Sequence, residues 1–425
     1  MAKKNNKRTV YVYAHWQGME EPYLMGTLQS DRLRGKEIFS FEYDNEWLSK
    51  GPSQILDPNL QLFSGPHHLS GDQENFGLFL DSSPDRWGRI LMLRREAELA
   101  RVQEKEKQKL FETDYLLGVY DGHRMGALRF KSEKDGPFLN DNQELTSPPW
   151  ASLRELEQIS LRLEEDNVID DPEYFKWLSM LVAPGASLGG ARPKASILDN
   201  DGGLWIAKFP SRNDQGDIGG WEMVTYELAI DAGINMAESK AKKFSSDYYT
   251  FMTKRFDRTN EGERIHFASA MTMLGYTDGQ DHADGASYLE LVEFIQTNGA
   301  SVDQDLEELW RRIVFSICVT NTDDHLRNHG FILTENGWRL SPAYDINPIE
   351  TGVGLKLNIS DDENSLDIDL AMEVYEFFRL TEDRAIEIIE EVKCSVRNWK
   401  ELATKHGLSR AEQEIKALAF EKAEG

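Results

Sequence analysis

Residues 320–333 read TNTDDHLRNHGFIL. An apolar run with helical spacing, Ile313–Val319, leads into this stretch, and a strand-like run, Gly330–Leu333, leaves it. Asp323, Asp324, His325, Arg327 and Asn328 crowd one short loop between two apolar elements. That is more polar chemistry than a connection needs. A carboxylate here can accept a hydroxyl proton. An asparagine five residues after Asp323, at Asn328, can ligate a metal through its amide oxygen. Arg327 can neutralise a transferring phosphoryl group. The alternative is a solvated loop built from turn-favouring Asn and Asp. A zinc site is disfavoured, because the loop 320–328 holds one histidine and no cysteine, which does not make a tetrahedral ligand set.

Three further features lie on either side. Downstream, Asp345 sits in Ala343-Tyr344-Asp345-Ile346, 17 residues after Asn328 and beyond the strand-like Trp338-Arg339-Leu340. A carboxylate facing the first loop is what a magnesium site requires, since Mg²⁺ takes oxygen ligands, often one or two carboxylates plus phosphate oxygens. Upstream, Lys208 lies in the apolar strand LWIAKFP, residues 204–210. A lysine there either snorkels to water or points at an anion. One hairpin earlier, residues 185–194 read GASLGGARPK. Small residues and three glycines let a backbone approach an anion closely, and Arg192 and Lys194 add charge. It is not a Walker A loop, because no Gly-Lys-Ser/Thr ends it. Taken in chain order, a Gly-rich loop, a strand lysine, an acidic loop with a downstream asparagine and a further aspartate make the parts list of a kinase-type phosphoryl transferase.

The whole chain has 425 residues and a mass of 48.7 kDa, enough for two or three domains with a substantial core. Lys and Arg number 48 against 74 Asp and Glu, for a net charge of −26. So acidic a chain is a poor bare nucleic-acid binder, because it repels phosphates. The two cysteines, Cys318 and Cys394, each fall in an apolar stretch and are expected to be buried and reduced. The basic N-terminus runs into a short alternating strand and does not resemble a secretory signal. With no window approaching 18 apolar residues, a cytoplasmic protein without membrane spans is expected.

The first half is β-rich, with strands at Thr9–Trp16 and Phe39–Tyr43. A helix starting around Ser82-Ser83-Pro84 follows, with the proline in its first turn. Leu116–Tyr120 and Met125–Phe130, bracketing Asp121-Gly122, suggest a hairpin. The polar tract 131–150 marks a boundary. Strands at Ile197–Leu198 and Leu204–Lys208 and helices at Trp221–Ala232 and Asp305–Val319 come next. Near the C-terminus, Thr381 is a candidate cap. Ala385, Ile388, Ile389, Val392, Val396 and Trp399 make one apolar helical face, a core stripe. The expected fold class is α+β in two lobes. The segments are 1–150, β-rich; 151–260, nucleotide-binding; and 261–425, helical and catalytic.

At this level the sequence resembles the HipA-like serine/threonine kinases, toxins of bacterial toxin–antitoxin systems. The matching strings are SLGGARPKAS (187–196), WIAKFP (205–210), KRFDR (254–258), NTDDHLRNHGF (321–331) and PAYDI (342–346), with MGTL (25–28) and FLDSSPDRWGR (79–89) in the first half. The resemblance implies a two-lobed protein-kinase-like fold using ATP and Mg²⁺. Gly189, Gly190, Ala191, Arg192, Pro193 and Lys194 would form the phosphate loop, and Lys208 would contact the phosphates. Lys254, Arg255 and Phe256 would be the hinge against adenine, with Asp257 near the ribose. Asp323 would be the catalytic base, and Arg327 would assist transfer. His325 to Asn328 would contact nucleotide, with Asn328 and Asp345 as metal ligands. Glu222 is the candidate partner of Lys208. Ser187 would be an autophosphorylation site. The implied substrate is a translation-related protein such as an aminoacyl-tRNA synthetase. The implied partner is a helix-turn-helix antitoxin, through which alone the chain would meet DNA. A small-molecule kinase of the same architecture and a catalytically silent corepressor are the alternatives. The chain departs from the family pattern at Lys254, where an acid is expected, and at Arg327, where lysine is common; Arg keeps the charge but is planar and bulkier.

Overall fold

The computed structural model describes residues 7–69, 73–140, 148–165, 168–182, 190 and 192–424. It is a mixed helix-and-sheet protein, as the sequence implies. In chain order the strands are β1 (Lys7–Ala14), β2 (Tyr23–Leu33), β3 (Lys36–Tyr43), β4 (Pro66–His68), β5 (Leu128–Lys131), β6 (Lys194–Leu198), β7 (Leu204–Lys208), β8 (Ser239–Lys242), β9 (Thr250–Lys254), β10 (Phe267–Ser269), β11 (Gly330–Thr334) and β12 (Gly337–Leu340). The helices are α1 (Asn45–Lys50), α2 (Gly77–Asp81), α3 (Arg86–Val102), α4 (Glu112–Gly118), α5 (Leu153–Arg162), α6 (Tyr174–Val182), α7 (Ile218–Asp231), α8 (Ala270–Met273), α9 (Tyr288–Asn298), α10 (Val302–Cys318), α11 (Ile368–Glu373), α12 (Glu382–Val396), α13 (Trp399–Lys405) and α14 (Arg410–Lys416). Among the described residues no helix is long and apolar enough to cross a membrane.

The chain forms two compact units. One is Met1–Ile206 with Asp257–Ala268, and the other is Ala207–Phe256 with Ser269–Gly425. The first unit carries an antiparallel sheet in the order β4-β3-β2-β1-β5. Alternation along β1 buries Val10, Val12 and Ala14 on one face. Gly26, in the MGTL string, is required by close approach: a Cβ there would stand 2.4 Å from the Glu42 carbonyl and 2.5 Å from the Phe41 ring. Residues 153–206 join this unit because α6 packs on α3 and Arg94 donates to the Leu163 carbonyl at 2.7 Å. The polar tract 131–150 is therefore not where the two units divide.

Two local expectations change. Helix α3 begins at Arg86, and Asp85 is its cap, accepting from the Gly88 amide at 2.8 Å; Pro84 precedes the cap instead of sitting in the first turn. The segment before Asp121 is helix α4 and not a hairpin strand. Its first turn is closed by the Asp114 carboxylate, which accepts from the Phe111 amide at 3.0 Å, and Asp121 begins a short 3₁₀ turn.

The second unit is built around α10, in which every residue from Leu309 to Cys318 is buried. A run buried on every side lies at the centre of a core, and its two arginines are paired, Arg311 with Glu391 and Arg312 with Glu308. The expected C-terminal stripe is present, with Ala385, Ile388, Ile389, Val392, Val396 and Trp399 all buried, and Thr381 caps α12 by accepting from the Arg384 amide. The isoleucine and valine side chains of this stripe each contribute about 1.5–3 kcal/mol relative to exposure. Cys318 is buried as expected. Cys394 is exposed, because it falls off the stripe between Val392 and Val396.

Candidate active site

The site lies in the second unit. Its loop follows α10 directly, and the way that helix ends sets the loop's path. Thr320 adopts a left-handed conformation at φ 51°. The Asn321 amide returns to the Ser316 carbonyl at 2.8 Å, and the Thr320 amide to Ile317 at 3.2 Å. This is a Schellman ending with a β-branched residue where glycine is usual, a conformation that is strained for threonine. The Thr320 hydroxyl offsets the strain by donating to the Ala419 carbonyl at 2.9 Å.

The two adjacent acids then part. Asp323 is exposed. Its backbone carbonyl organises the turn, accepting from the His325 amide at 2.9 Å and from Asn328 Nδ2 at 3.0 Å. The second bond commits the nitrogen end of the Asn328 side chain and leaves Oδ1 as its oxygen donor. Asp324 is buried. Its Oδ2 accepts from the Tyr288 hydroxyl at 2.5 Å and from Ser316 Oγ at 3.3 Å, and its Oδ1 lies 3.0 Å from His329 Nε2. Burial alone would lift the Asp324 carboxyl. The charge and hydrogen bond of His329, the Tyr288 hydroxyl and the charge of His325 outweigh burial and hold it below the usual carboxylate range. Burial, reinforced by Asp324, pushes the Tyr288 phenol well up. Arg327 is partly exposed, with Nη1 3.4 Å from Asp278.

Lys208 ends β7 and is buried among carboxylates. Its Nζ is 2.5 Å from both Glu222 Oε1, on α7, and Asp345 Oδ1. Burial pulls the ammonium pKa down, but Asp345 and Glu222 together outweigh it and hold it above the ordinary lysine range. Asp345 itself has φ 59°, a left-handed conformation of the kind concentrated at functional sites. Its neighbours tie it to the 321–328 loop. Tyr344 donates to the Arg327 carbonyl at 2.7 Å, and the Asn347 amide reaches Asn321 Oδ1 at 3.4 Å. The preceding segment is held by Ala343, whose amide donates to Asn235 at 2.8 Å and whose carbonyl accepts from Ala237 at 3.0 Å. Asp345 and Asn328 offer hard oxygen donors, one a carboxylate, and so fit Mg²⁺ completed by phosphate oxygens and water.

The remaining residues singled out in the sequence fall as follows. The Lys254 amide is engaged by the Glu238 carbonyl at 2.7 Å, and the Phe256 ring lies 5.5 Å from that of Tyr344. Arg255 is buried. Asp257 belongs to the first unit and is fully buried, accepting from the Gly126 amide at 2.8 Å and from Arg258 at 2.7 Å. Lys194, also in the first unit, is buried, 2.8 Å from Asp85 and 2.9 Å from the Gly190 carbonyl. Its own carbonyl accepts from Trp87 Nε1 at 3.1 Å. Gly190 is exposed, Arg192 half-buried and Pro193 buried. Ser187, Gly189 and Ala191 lie outside the described residues. Sequence reasoning did not single out Tyr288, Ser316 or His329, since nothing in their local pattern announces a shared carboxylate.

Residues 186–399 match the family model described as the HipA-like C-terminal domain. A putative kinase of Haemophilus influenzae is 26% identical over 179 residues, covering 38% of this chain and 52% of that protein. The serine/threonine-protein kinase toxin HipA of Shewanella oneidensis is 25% identical over 227 residues, covering 47% of this chain and 52% of that one. The chain thus spans about half the length of these curated relatives. Among solved structures, the Shewanella oneidensis toxin–antitoxin complex of HipA, HipB and operator DNA contains a chain with the same fold. The TM-score is 0.66 at 18% identity, over 98% of this chain and 96% of that one.

Proposed function

Since this chain belongs to the HipA-like C-terminal domain family, we propose that it is an ATP- and Mg²⁺-dependent serine/threonine protein kinase acting as the toxin of a toxin–antitoxin module. The observation that carries the proposal is the buried Lys208 ammonium between Glu222 and Asp345, beside a loop whose Asp323 is exposed. A lysine held by a helix carboxylate and a nearby aspartate is the arrangement phosphoryl transfer uses to orient phosphates. In this reading Lys208 binds phosphate oxygens and Glu222 holds the lysine in place. Asp323 accepts the proton of the acceptor hydroxyl. Arg327 offsets charge on the transferring group. Asn328 and Asp345 hold the metal, which when bound neutralises charge between phosphate oxygens. Lys254, Arg255 and Phe256 serve adenine.

The acceptor is a protein hydroxyl, on a translation protein such as an aminoacyl-tRNA synthetase. The partner is a basic helix-turn-helix antitoxin. A net charge of −26 suits a chain that binds such a protein and leaves operator DNA to it. Incubation of the pure chain with labelled ATP, Mg²⁺ and host lysate tests the proposal: discrete labelled protein bands on serine or threonine support it, and label confined to small molecules replaces it with a metabolite kinase. Co-purification of a basic partner, with operator binding only by the complex, tests the second part.

A further inference from the structure

We propose that Asp324, with Tyr288, Ser316 and His329, forms a buried anchor that sets the separation of Asp323 from Asn328, so that these four are positioning residues. The proposal rests on the kinase reading for what Asp323 and Asn328 do. Tandem acids at 323 and 324 look interchangeable in sequence, yet they are opposite in structure. Asp323 is exposed and Asp324 is 4% exposed. A buried carboxylate is costly unless its lone pairs are met. Here Tyr288 at 2.5 Å and Ser316 at 3.3 Å donate to one oxygen, and the His329 imidazole stands at ion-pair distance, 3.0 Å, from the other.

Those partners come from three separate pieces of the fold. Tyr288 is the first residue of α9, whose start is capped by Ser287. Ser316 is in the last turn of α10. His329 directly precedes β11, and its carbonyl accepts from the Ala270 amide at 2.9 Å. The Tyr288 and His329 rings meet edge to face at 5.7 Å. The place of the brace along the chain gives it its role. Asp324 follows the proposed base by one residue, and His329 follows the proposed metal ligand by one residue. The 324–329 pair therefore closes the loop immediately behind both working side chains. Neither Asp323 nor Asn328 can move along the loop without breaking it. An acceptor hydroxyl and a metal-bound phosphate must be held in register for in-line transfer, and misplacement by about 1 Å costs about 100-fold in rate.

The test compares Tyr288→Phe, Asp324→Asn and Asp323→Asn in the full chain. It measures kcat, ATP affinity, the pH profile of kcat, and hydrogen exchange of the amides in 320–330. Asp324→Asn is expected to lower kcat by about 100-fold and Tyr288→Phe by about 10-fold. The position of the pH profile should stay near that of the unmodified chain, and ATP affinity in Mg²⁺ should fall by less than kcat. The double variant Tyr288→Phe/Asp324→Asn should be little worse than Asp324→Asn, because both act through one element. Loop amides should exchange about tenfold faster in Tyr288→Phe. Unchanged kcat in both anchor variants overturns the proposal. So does an active Asp323→Asn beside a dead Asp324→Asn, which would make Asp324 the base. If Asp324→Asn fails to fold, Tyr288→Phe, which keeps the ring in the core, still decides. If the unmodified chain transfers no phosphoryl group, the kinase reading fails separately, and the exchange rates judge the anchor: faster in Tyr288→Phe supports it, and equal rates overturn it.

Discussion

Lys208 Nζ stands 2.5 Å from Asp345 Oδ1, so the carboxylate proposed for the metal is already held by an ammonium. An ammonium and a divalent cation compete for the same oxygen lone pairs. In the proposed reading, bound nucleotide would relieve the competition, its phosphates drawing Lys208 and leaving the Asp345 carboxylate free to hold a metal. ATP should therefore bind well only together with a divalent cation. Calorimetry with and without chelator checks this. Equal affinity under both conditions would remove Asn328 and Asp345 from the metal site.

Lys208→Met keeps most of the stem's volume and removes the charge. Glu222 and Asp345 each then lose the ammonium they share. Breaking a buried pair costs about 3–5 kcal/mol, and the lower end is expected here because the Asp345 side chain is 24% exposed. Urea unfolding should show a loss of about 3 kcal/mol, and phosphoryl transfer should disappear. An unchanged midpoint would mean that the triad does not form in solution.

Asp323→Asn alters an exposed side chain that the fold does not use, since only its backbone carbonyl anchors the turn. Thermal stability should stay the same. Turnover should fall by about 100-fold or more, the usual size of a general-base contribution. Transfer at the unmodified rate would place the base elsewhere.

His266 is fully buried against Trp16, with ring centroids 5.3 Å apart, and burial lowers its pKa from 6.5 to about 3. Above pH 6.5 the ring is neutral in both folded and unfolded chains. Between 6.5 and about 3 the unfolded chain takes up a proton that the folded chain refuses, so stability falls as pH falls, by roughly 1.4 kcal/mol per pH unit. His266→Phe should flatten this part of the profile. Denaturant unfolding near neutrality and at about pH 5 compares the two chains, and parallel profiles would count against a neutral buried ring.

Ser187 precedes Gly189 and Gly190, the glycines proposed to form a phosphate loop. A phosphate there adds roughly −1.5 to −2 charge where ATP's own phosphates would bind. Mass spectrometry after incubation with ATP and Mg²⁺ should find Ser187 modified, and ATP affinity should fall in proportion to the modified fraction. An unmodified Ser187 beside a phosphorylated target would end the self-inactivation proposal and leave the kinase proposal standing.

Much of this architecture is legible from local pattern. The period of the 385–399 stripe places that helix face in the core, and the LWIAK run places Lys208 on a strand. Periodicity works because burial acts on every turn of a helix and every second residue of a strand. Local pattern misled where a cap or a neighbour outweighed it. Asp85 caps the helix after Pro84, which was expected in its first turn, and Asp114 closed a helix where a hairpin strand was expected.

By itself, then, the sequence determined which chemical groups are present and in what order: a strand lysine, two adjacent acids, an asparagine and a later aspartate, on a chain of the HipA-like family. Tertiary structure alone decided their state. It brought Lys208 to Asp345 across 137 residues, and it sent Asp323 to the surface and Asp324 inward. Two neighbouring aspartates have the same intrinsic chemistry. The hydroxyls of Tyr288 and Ser316 and the imidazole of His329 offset the cost of burying Asp324, and Tyr288 reaches it from 36 residues away, a meeting that no local pattern encodes.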